Sequence, residues 1–187
     1  PLPTPASTFF DAFAGSGRVS YHFRDQYTVL SNDKLYFCKT ILSAYLCTPF
    51  TKSEKETSTT LIAELNAISE DHFTKTDGWF TKHYGWHDNN GRSEDELGVK
   101  KVWLYKNSKK IDCIRHQIAE WKNTSKIDQS TENVLLLSLI LAINKVSNVV
   151  GHQNGYLKKW CTNAKRDLVL EIPNIEPRPD SKHQQFV

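Results

Sequence analysis

The chain has 187 residues, of which 39% are hydrophobic and 24% charged, and a formal net charge of +3. That length supports one well-cored domain, or a core with one sizeable insertion, and leaves little room for two independent domains. The composition excludes a low-complexity or disordered chain, and the longest apolar run, residues 134–143, is broken by Ser138 and too short to span a membrane.

The first residues, Pro1-Leu2-Pro3-Thr4-Pro5, lack the basic and apolar regions of a secretion signal, which points to the cytoplasm. No methionine occurs in the chain, so the natural polypeptide is expected to start earlier or to contain further residues. Cys38, Cys47, Cys113 and Cys161 show neither a C-x-x-C pair nor metal-ligand spacing, and are expected to be reduced thiols.

Along the chain, residues 9–13 are a short apolar run closed by Gly15-Ser16-Gly17, and 19–23 can start a helix. Residues 27–30 are a second β-branched and aromatic run ended by Ser31-Asn32-Asp33, and 35–46 carry apolar residues at helical spacing. The opening therefore predicts β-α-β-α. Residues 49–60, with Pro49 and many Ser, Thr and Lys, predict a loop, followed by a helix over about 60–68. From 71 to 98 periodicity fails while Trp79, Phe80, His83, Tyr84, Trp86 and His87 crowd among Asp, Asn and Gly, which predicts an irregular, ring-rich loop.

Asn107 or Ser108 can cap a helix whose Ile111, Ile114, Ile118 and Trp121 fall on one stripe. Thr131 can cap the next helix, with Glu132 in its first turn, running to about 149 and stopped by Gly151. Residues 164–172 alternate as a strand does, 173–179 form a proline-rich loop, and 183–187 begin a further strand. Between Lys100 and Lys126 basic residues outnumber Asp112 and Glu120, a local excess that can face phosphates.

The glycine turn in Asp11-Ala12-Phe13-Ala14-Gly15-Ser16-Gly17 lets a ligand approach backbone amides, although glycines end strands in most proteins. A second strand ending in Asp33 adds a carboxylate able to accept hydrogen bonds from both hydroxyls of a ribose, so the pair points to a nucleoside-containing cofactor. Asp33 can equally be the N-cap of the following helix, and the roles are compatible. His83 and His87 share a helical metal spacing, but the Tyr84-Gly85-Trp86 and Asp88-Asn89-Asn90-Gly91 stretches predict a loop with no third ligand, so no metal is expected.

The segments Phe-Ala-Gly-Ser-Gly-x-Val-Ser (13–20) and Ser-Asn-Asp-x-x-Tyr (31–36) resemble the cofactor motifs of Dam-like adenine-specific DNA methyltransferases. The resemblance continues through Trp79-Phe80-Thr81-Lys82-His83-Tyr84, Asn107-Ser108-Lys109-Lys110-Ile111-Asp112-x-Ile114-Arg115, residues 136–148, and Gly155-Tyr156-Leu157-Lys158-Lys159-Trp160. It implies a Rossmann-like, doubly wound α/β methyltransferase core, incomplete in this chain, with a helical insertion. The implied organisation is 1–49 as the S-adenosylmethionine-binding part of the core, 50–165 as a mostly helical target-recognition region, and 166–187 as the return to the core.

By the same resemblance Asp11, Phe13, Ala14, Gly15, Ser16 and Gly17 would hold the methionine part of S-adenosyl-L-methionine, and Asp33 its ribose. Double-stranded DNA would be the substrate, with Trp79, Tyr84 and Trp86 offered to bases and Lys109, Lys110, Arg115, Lys158 and Lys159 to phosphates, set against the plainer readings of core-covering rings and solvated basic faces. The implied activity is transfer of a methyl group to the exocyclic amine of adenine, in a bacterial restriction-modification system with a cognate endonuclease or as a solitary methylase, at the nucleoid.

Two departures bear on activity. The family's Gly-x-Lys segment upstream of the first strand is absent before Pro1, and the catalytic Asp/Asn-Pro-Pro-aromatic tetrapeptide is absent because no two prolines are adjacent. In the family that motif follows a strand which 181–187 begins, so it is expected beyond Val187, and no catalytic residue is assigned here. The alternative is a truncated, split or inactive relative acting as a DNA- or cofactor-binding subunit. A dinucleotide-dependent oxidoreductase is disfavoured by the single short G-x-G turn.

Overall fold

The computed structural model describes residues 7–69, 77–88, 90–151, 157–176 and 182–186. Its elements in chain order are β1 (Thr8–Asp11), α1 (Arg18–Phe23), β2 (Thr28–Asn32), α2 (Tyr36–Leu42) continued by a π-helical turn (Ser43–Cys47), α3 (Lys52–Ala67), α4 (Trp79–Tyr84), β3 (Gly85–Trp86), β4 (Trp103–Leu104), α5 (Tyr105–Asn123), α6 (Gln129–Lys145) and β5 (Gln184–Phe186). The result is a mixed α/β chain with parallel strands.

Two compact units emerge, the first from Pro1–Thr59, Ile127–Leu137 and Ile172–Val187, the second from Thr60–Lys126 and Ser138–Glu171. In the first, β1 and β2 pair in parallel with Asp11 opposite Ser31, and β5 pairs in parallel with the other edge of β2, with Leu30 opposite Gln184. The order is β1-β2-β5. As the middle strand, β2 buries Val29 and Ser31 completely. Ala14, Cys38, Leu42 and Leu46 form a core over which Tyr21, Tyr45 and Cys47 pack.

In the second unit the predicted stripe of α5 is realised: Ile111, Ile114, Ile118 and Trp121 are all buried. A further cluster gathers Leu104, Trp160 and Ala164, with Trp86 and Cys161 against it. All four cysteines are free thiols, and none of the described helices is long and apolar enough to cross a membrane.

Several expectations are corrected. The loop over 49–60 is mostly helix, because Thr51 and Glu54 form a reciprocal capping box: the Thr51 amide donates to Glu54 Oε2 and the Glu54 amide to Thr51 Oγ1. The ring-rich stretch contains α4, started from a distance by Asp112 of α5, whose carboxylate accepts the amides of Phe80 (3.0 Å) and Thr81 (2.9 Å) and the Thr81 hydroxyl (2.6 Å). Gly78 permits this closeness, since a Cβ there would lie 2.3 Å from Asp112 Cγ. His83 therefore sits on a helix, while His87 lies beyond it and stacks on Tyr105 at 4.0 Å.

Neither Asn107 nor Ser108 caps α5, which starts two residues earlier; both are buried within it. For α6 the cap is Asp128, whose Oδ1 accepts the Thr131 amide at 2.8 Å, and the helix stops at Lys145 rather than near 149. Residues 164–172 form no strand. Leu168 and Leu170 are buried and Val169 is exposed, as in a strand, but their amides bond to side chains: Leu168 N to Asn107 Oδ1 (3.0 Å) and Leu170 N to Asn66 Oδ1 (2.8 Å). Two asparagines stand where a neighbouring strand would. β1 ends at Asp11 because Ala12 and Phe13 already turn toward the glycines, and the final strand is described over Gln184–Phe186. Of the resemblance's segments, Gly155 and Tyr156 lie outside the described residues, as do Pro177, Pro179 and Val187 of the predicted loop and strand.

Candidate cofactor and nucleic-acid sites

The turn after β1 is built by two glycines with positive φ, Gly15 at 53° and Gly17 at 76°. A Cβ on Gly17 would meet Leu42 Cδ2 at 2.8 Å, so this glycine serves both the turn and close packing on α2. A Cβ on Gly15 would meet nothing within 4 Å, leaving open space over the backbone. The turn is fastened to the end of β2 at three points: Ala14 N to Asn32 O (2.9 Å), Asn32 Nδ2 to Ala12 O (3.0 Å) and Gly15 N to Asp33 Oδ2 (2.8 Å).

Asp33 thus joins the two motifs that sequence spacing suggested. Its other oxygen accepts the Leu35 amide at 3.0 Å just before α2, which corrects the expected N-cap role: the cap position falls on Leu35, with no side-chain hydrogen bond to the first turn. The Leu35 amide first, and the Gly15 amide next, hold its carboxyl below the ordinary value of 3.8 against a smaller opposing effect of burial. The Cys38 thiol and the Lys34 amide also approach this carboxylate, so the chain itself surrounds it with donors. Asp11 faces inward instead and accepts the Ser20 hydroxyl at 2.6 Å, in a chain continuing to Ser31 at 2.8 Å. Ser20, Ser31 and Asn32 stand in the quoted motifs without a role of their own assigned from the sequence, and Leu42, in the apolar run behind Asp33, was not singled out. Phe13 is 92% exposed and Tyr36, three residues after Asp33, 76% exposed, so two rings border the turn and the acid in the sequence and remain open to a ligand.

In the second unit the proposed contact residues separate into groups. Trp79, 65% exposed, packs edge-on to Tyr84 at 5.6 Å. With Gly78, Lys109, Asp112, Cys113, Arg115 and His116 it lines a concavity of about 380 Å³ on α4 and α5. Asp112 is engaged in holding α4, so the groups left to characterise this hollow are a ring and basic side chains. Lys109 reaches it from a buried position, with its Nζ 5.8 Å from the Tyr105 ring centre, and Arg115 is exposed.

The remaining candidates lie elsewhere. Lys110 donates to Asn66 O at 3.0 Å and serves packing, and Trp86 leans on the Leu104–Trp160–Ala164 cluster. Lys158 and Lys159 are exposed on a segment that pairs with Arg92 and Ser93, so Arg92 joins them, a neighbour 67 positions from Lys159 that only the fold reveals. Among the described residues, no group of three or more His, Cys, Asp or Glu is gathered as a metal site.

Comparison with known proteins shows the family of the chain. The family model described as D12 class N6 adenine-specific DNA methyltransferase matches residues 2–184. Similar curated proteins include the type II methyltransferase M.FokI of Planomicrobium okeanokoites, 31% identical over 91% of this chain and 25% of its own length. The modification methylase LlaI of Lactococcus lactis subsp. lactis is 32% identical over 87% of this chain and 25% of its own, and the type II methyltransferase M.NlaIII of Neisseria lactamica 30% identical over 95% and 48%. The chain thus spans about a quarter to a half of the length of these relatives. No solved structure matches it. A family match over nearly every residue shows that the chain belongs to the D12 class N6 adenine-specific DNA methyltransferase family.

Proposed function

We propose that this chain supplies the cofactor-binding and DNA-recognition steps of methyl transfer from S-adenosyl-L-methionine to the exocyclic amine of adenine in duplex DNA. The observation that carries the reading is the open glycine turn fastened through Gly15 to Asp33, in a member of an adenine-methyltransferase family. The names of the similar proteins, type II methyltransferases and modification methylases, favour the modification half of a bacterial restriction system, with a cognate endonuclease as partner and the nucleoid as workplace. In this reading the sheet belongs to a Rossmann-like, doubly wound core formed by 1–49 and 166–187, and residues 50–165 recognise the target.

The local geometry suits the cofactor. Open space over Gly15 admits a ligand to the backbone, Asp33 places a carboxylate beside it for ribose hydroxyls, and Phe13 and Tyr36 offer exposed faces to an apolar or aromatic group. When bound, S-adenosyl-L-methionine supplies an electrophilic methyl group on a sulfonium. The chain's own part is to orient it: residues 13–17 take the methionine end, with Asp11 bracing the turn from behind through Ser20, and Asp33 takes the ribose and positions the turn for both. On the DNA side, Trp79 and Tyr84 address bases, while Lys109, Arg115, Lys158 and Lys159 contribute positive charge toward phosphates; Lys110 and Trp86, engaged in packing, support that surface from behind. The exocyclic amine is a weak nucleophile because its lone pair is delocalised into the ring, and the family's Pro-Pro tetrapeptide, which residues 1–187 do not contain, is what accepts its hydrogens.

Calorimetric titration with S-adenosyl-L-methionine tests the reading. Asp33→Ala is expected to weaken binding on the order of ten- to a hundredfold, since a charged acceptor is lost from both the ribose and the turn. Wild-type affinity is expected to be flat from about pH 5 to 8, because Asp33 is ionised throughout. Its contribution to holding the turn is complete above its ordinary value of 3.8 and disappears only as pH falls through the lower folded value. Equal affinity of Asp33→Ala and wild type would remove Asp33 from the site.

A further inference from the structure

Residues 92–101 form a loop fixed at both base and tip, with residues 96–99 exposed. At the base the Ser93 amide donates to Lys158 O (3.1 Å), the Lys101 amide to Ser93 O (2.8 Å), and Arg92 bridges antiparallel to Lys159. At the tip a single carboxylate organises the turn: Asp95 Oδ1 accepts the amides of Leu97 (3.0 Å) and Val99 (2.8 Å). The Asp95 amide donates to Val99 O and the Gly98 amide to Asp95 O, both at 3.0 Å, with Gly98 at a φ of 74°. Lys101 lies 3.5 Å from Asp95, and Lys100 pairs with Glu94.

What this bonding presents is apolar. Leu97 is 89% exposed and Val99 51% exposed, on a tip whose conformation is set in advance. A surface that holds leucine and valine out in water forgoes their burial unless something else covers them. Charge says what. Arg92, Lys158 and Lys159 are exposed around the base, Glu94 and Asp95 are neutralised by Lys100 and Lys101, and Glu96 is the exposed acid among residues 92–101. An apolar point flanked by cations complements a polyanion with stacked planar groups inside it.

We infer that the loop 95–99 is a wedge for duplex DNA, with Leu97 pressing between base pairs while Arg92, Lys158 and Lys159 take backbone phosphates. This rests on the reading that the chain binds DNA, and it gives that reading a deforming element. The preformed tip means little order has to be gained on contact, so the binding energy is available to part the bases. A wedge favours steps that are already weakly stacked.

The test is fluorescence anisotropy of the full chain with two labelled duplexes of one sequence, one carrying a single central mismatched pair. Wild type is expected to prefer the mismatched duplex by about tenfold, since part of the unstacking is already done. Leu97→Ser is expected to lose that preference while keeping the wild-type dependence on salt, and its thermal melt should match wild type because the side chain is exposed. The Arg92→Ala/Lys158→Ala/Lys159→Ala variant should keep the preference, with the log-log salt slope lower by about 0.9 for each phosphate contact removed. A wild type that binds neither duplex overturns the DNA reading itself. Binding with the same preference in Leu97→Ser and wild type overturns the wedge alone.

Discussion

Replacing Leu137 with alanine is expected to destabilise the chain by about 2 to 5 kcal/mol, among the largest effects of any single substitution. The side chain lies on α6 with no exposed surface, next to the equally buried Leu135 and one turn after Val134. Truncation there removes its transfer energy and leaves a cavity that close-packed neighbours fill only in part. Urea unfolding would measure it as a lower midpoint at unchanged slope. An unaltered midpoint would show that α6 contributes little to the core, contrary to its burial.

Asn107→Ala is expected to have a comparable effect, about 2 to 4 kcal/mol, by a different route. The Asn107 side chain is 2% exposed, and it receives the Leu168 amide (3.0 Å) while donating to Arg166 O (2.8 Å) and Ala164 O (3.4 Å). Alanine leaves a buried amide and carbonyl without partners, each costing about 1 to 3 kcal/mol. Hydrogen exchange separates this from a general loss of stability: the Leu168 amide should exchange much faster, out of proportion to amides in the middle of α5. Uniform acceleration across the unit would contradict the local role.

These two residues also mark what the sequence could convey. The apolar run containing Leu137 announced a buried helix, and Ile111, Ile114, Ile118 and Trp121 announced a stripe, because burial leaves a periodic trace. The glycine turn and Asp33 were legible for a similar reason, since each depends on a few adjacent residues. Residues 164–172 were misread because alternation records which side chains are buried and not what the backbone bonds to; Asn107 and Asn66, about 60 and 100 positions away, supply that. α4 was hidden because its initiating carboxylate, Asp112, is more than 30 residues distant. The start of α3 is a different failure, since Thr51-Lys52-Ser53-Glu54 spells a capping box that the surrounding Ser and Lys obscured. For the DNA candidates, residue type identified basic positions but could not tell that Lys109 is buried, that Lys110 is occupied by Asn66 O, or that Arg92 stands beside Lys159.

The sheet order β1-β2-β5 sets a timetable for folding. β2 has one partner twenty residues before it, whereas its other edge waits for β5, and the Val29 amide finds its acceptor in His183, 154 residues along. At ribosomal rates of 5 to 20 residues per second that partner emerges about 8 to 30 s later. Through this interval β2 holds a bare edge, the kind of template that recruits strands from other chains. Closing so long a loop is itself only weakly dependent on its length, so the hazard lies in the delay, and a slower ribosome over residues 60–180 should raise aggregation of nascent chains more than it lowers the stability of the finished one.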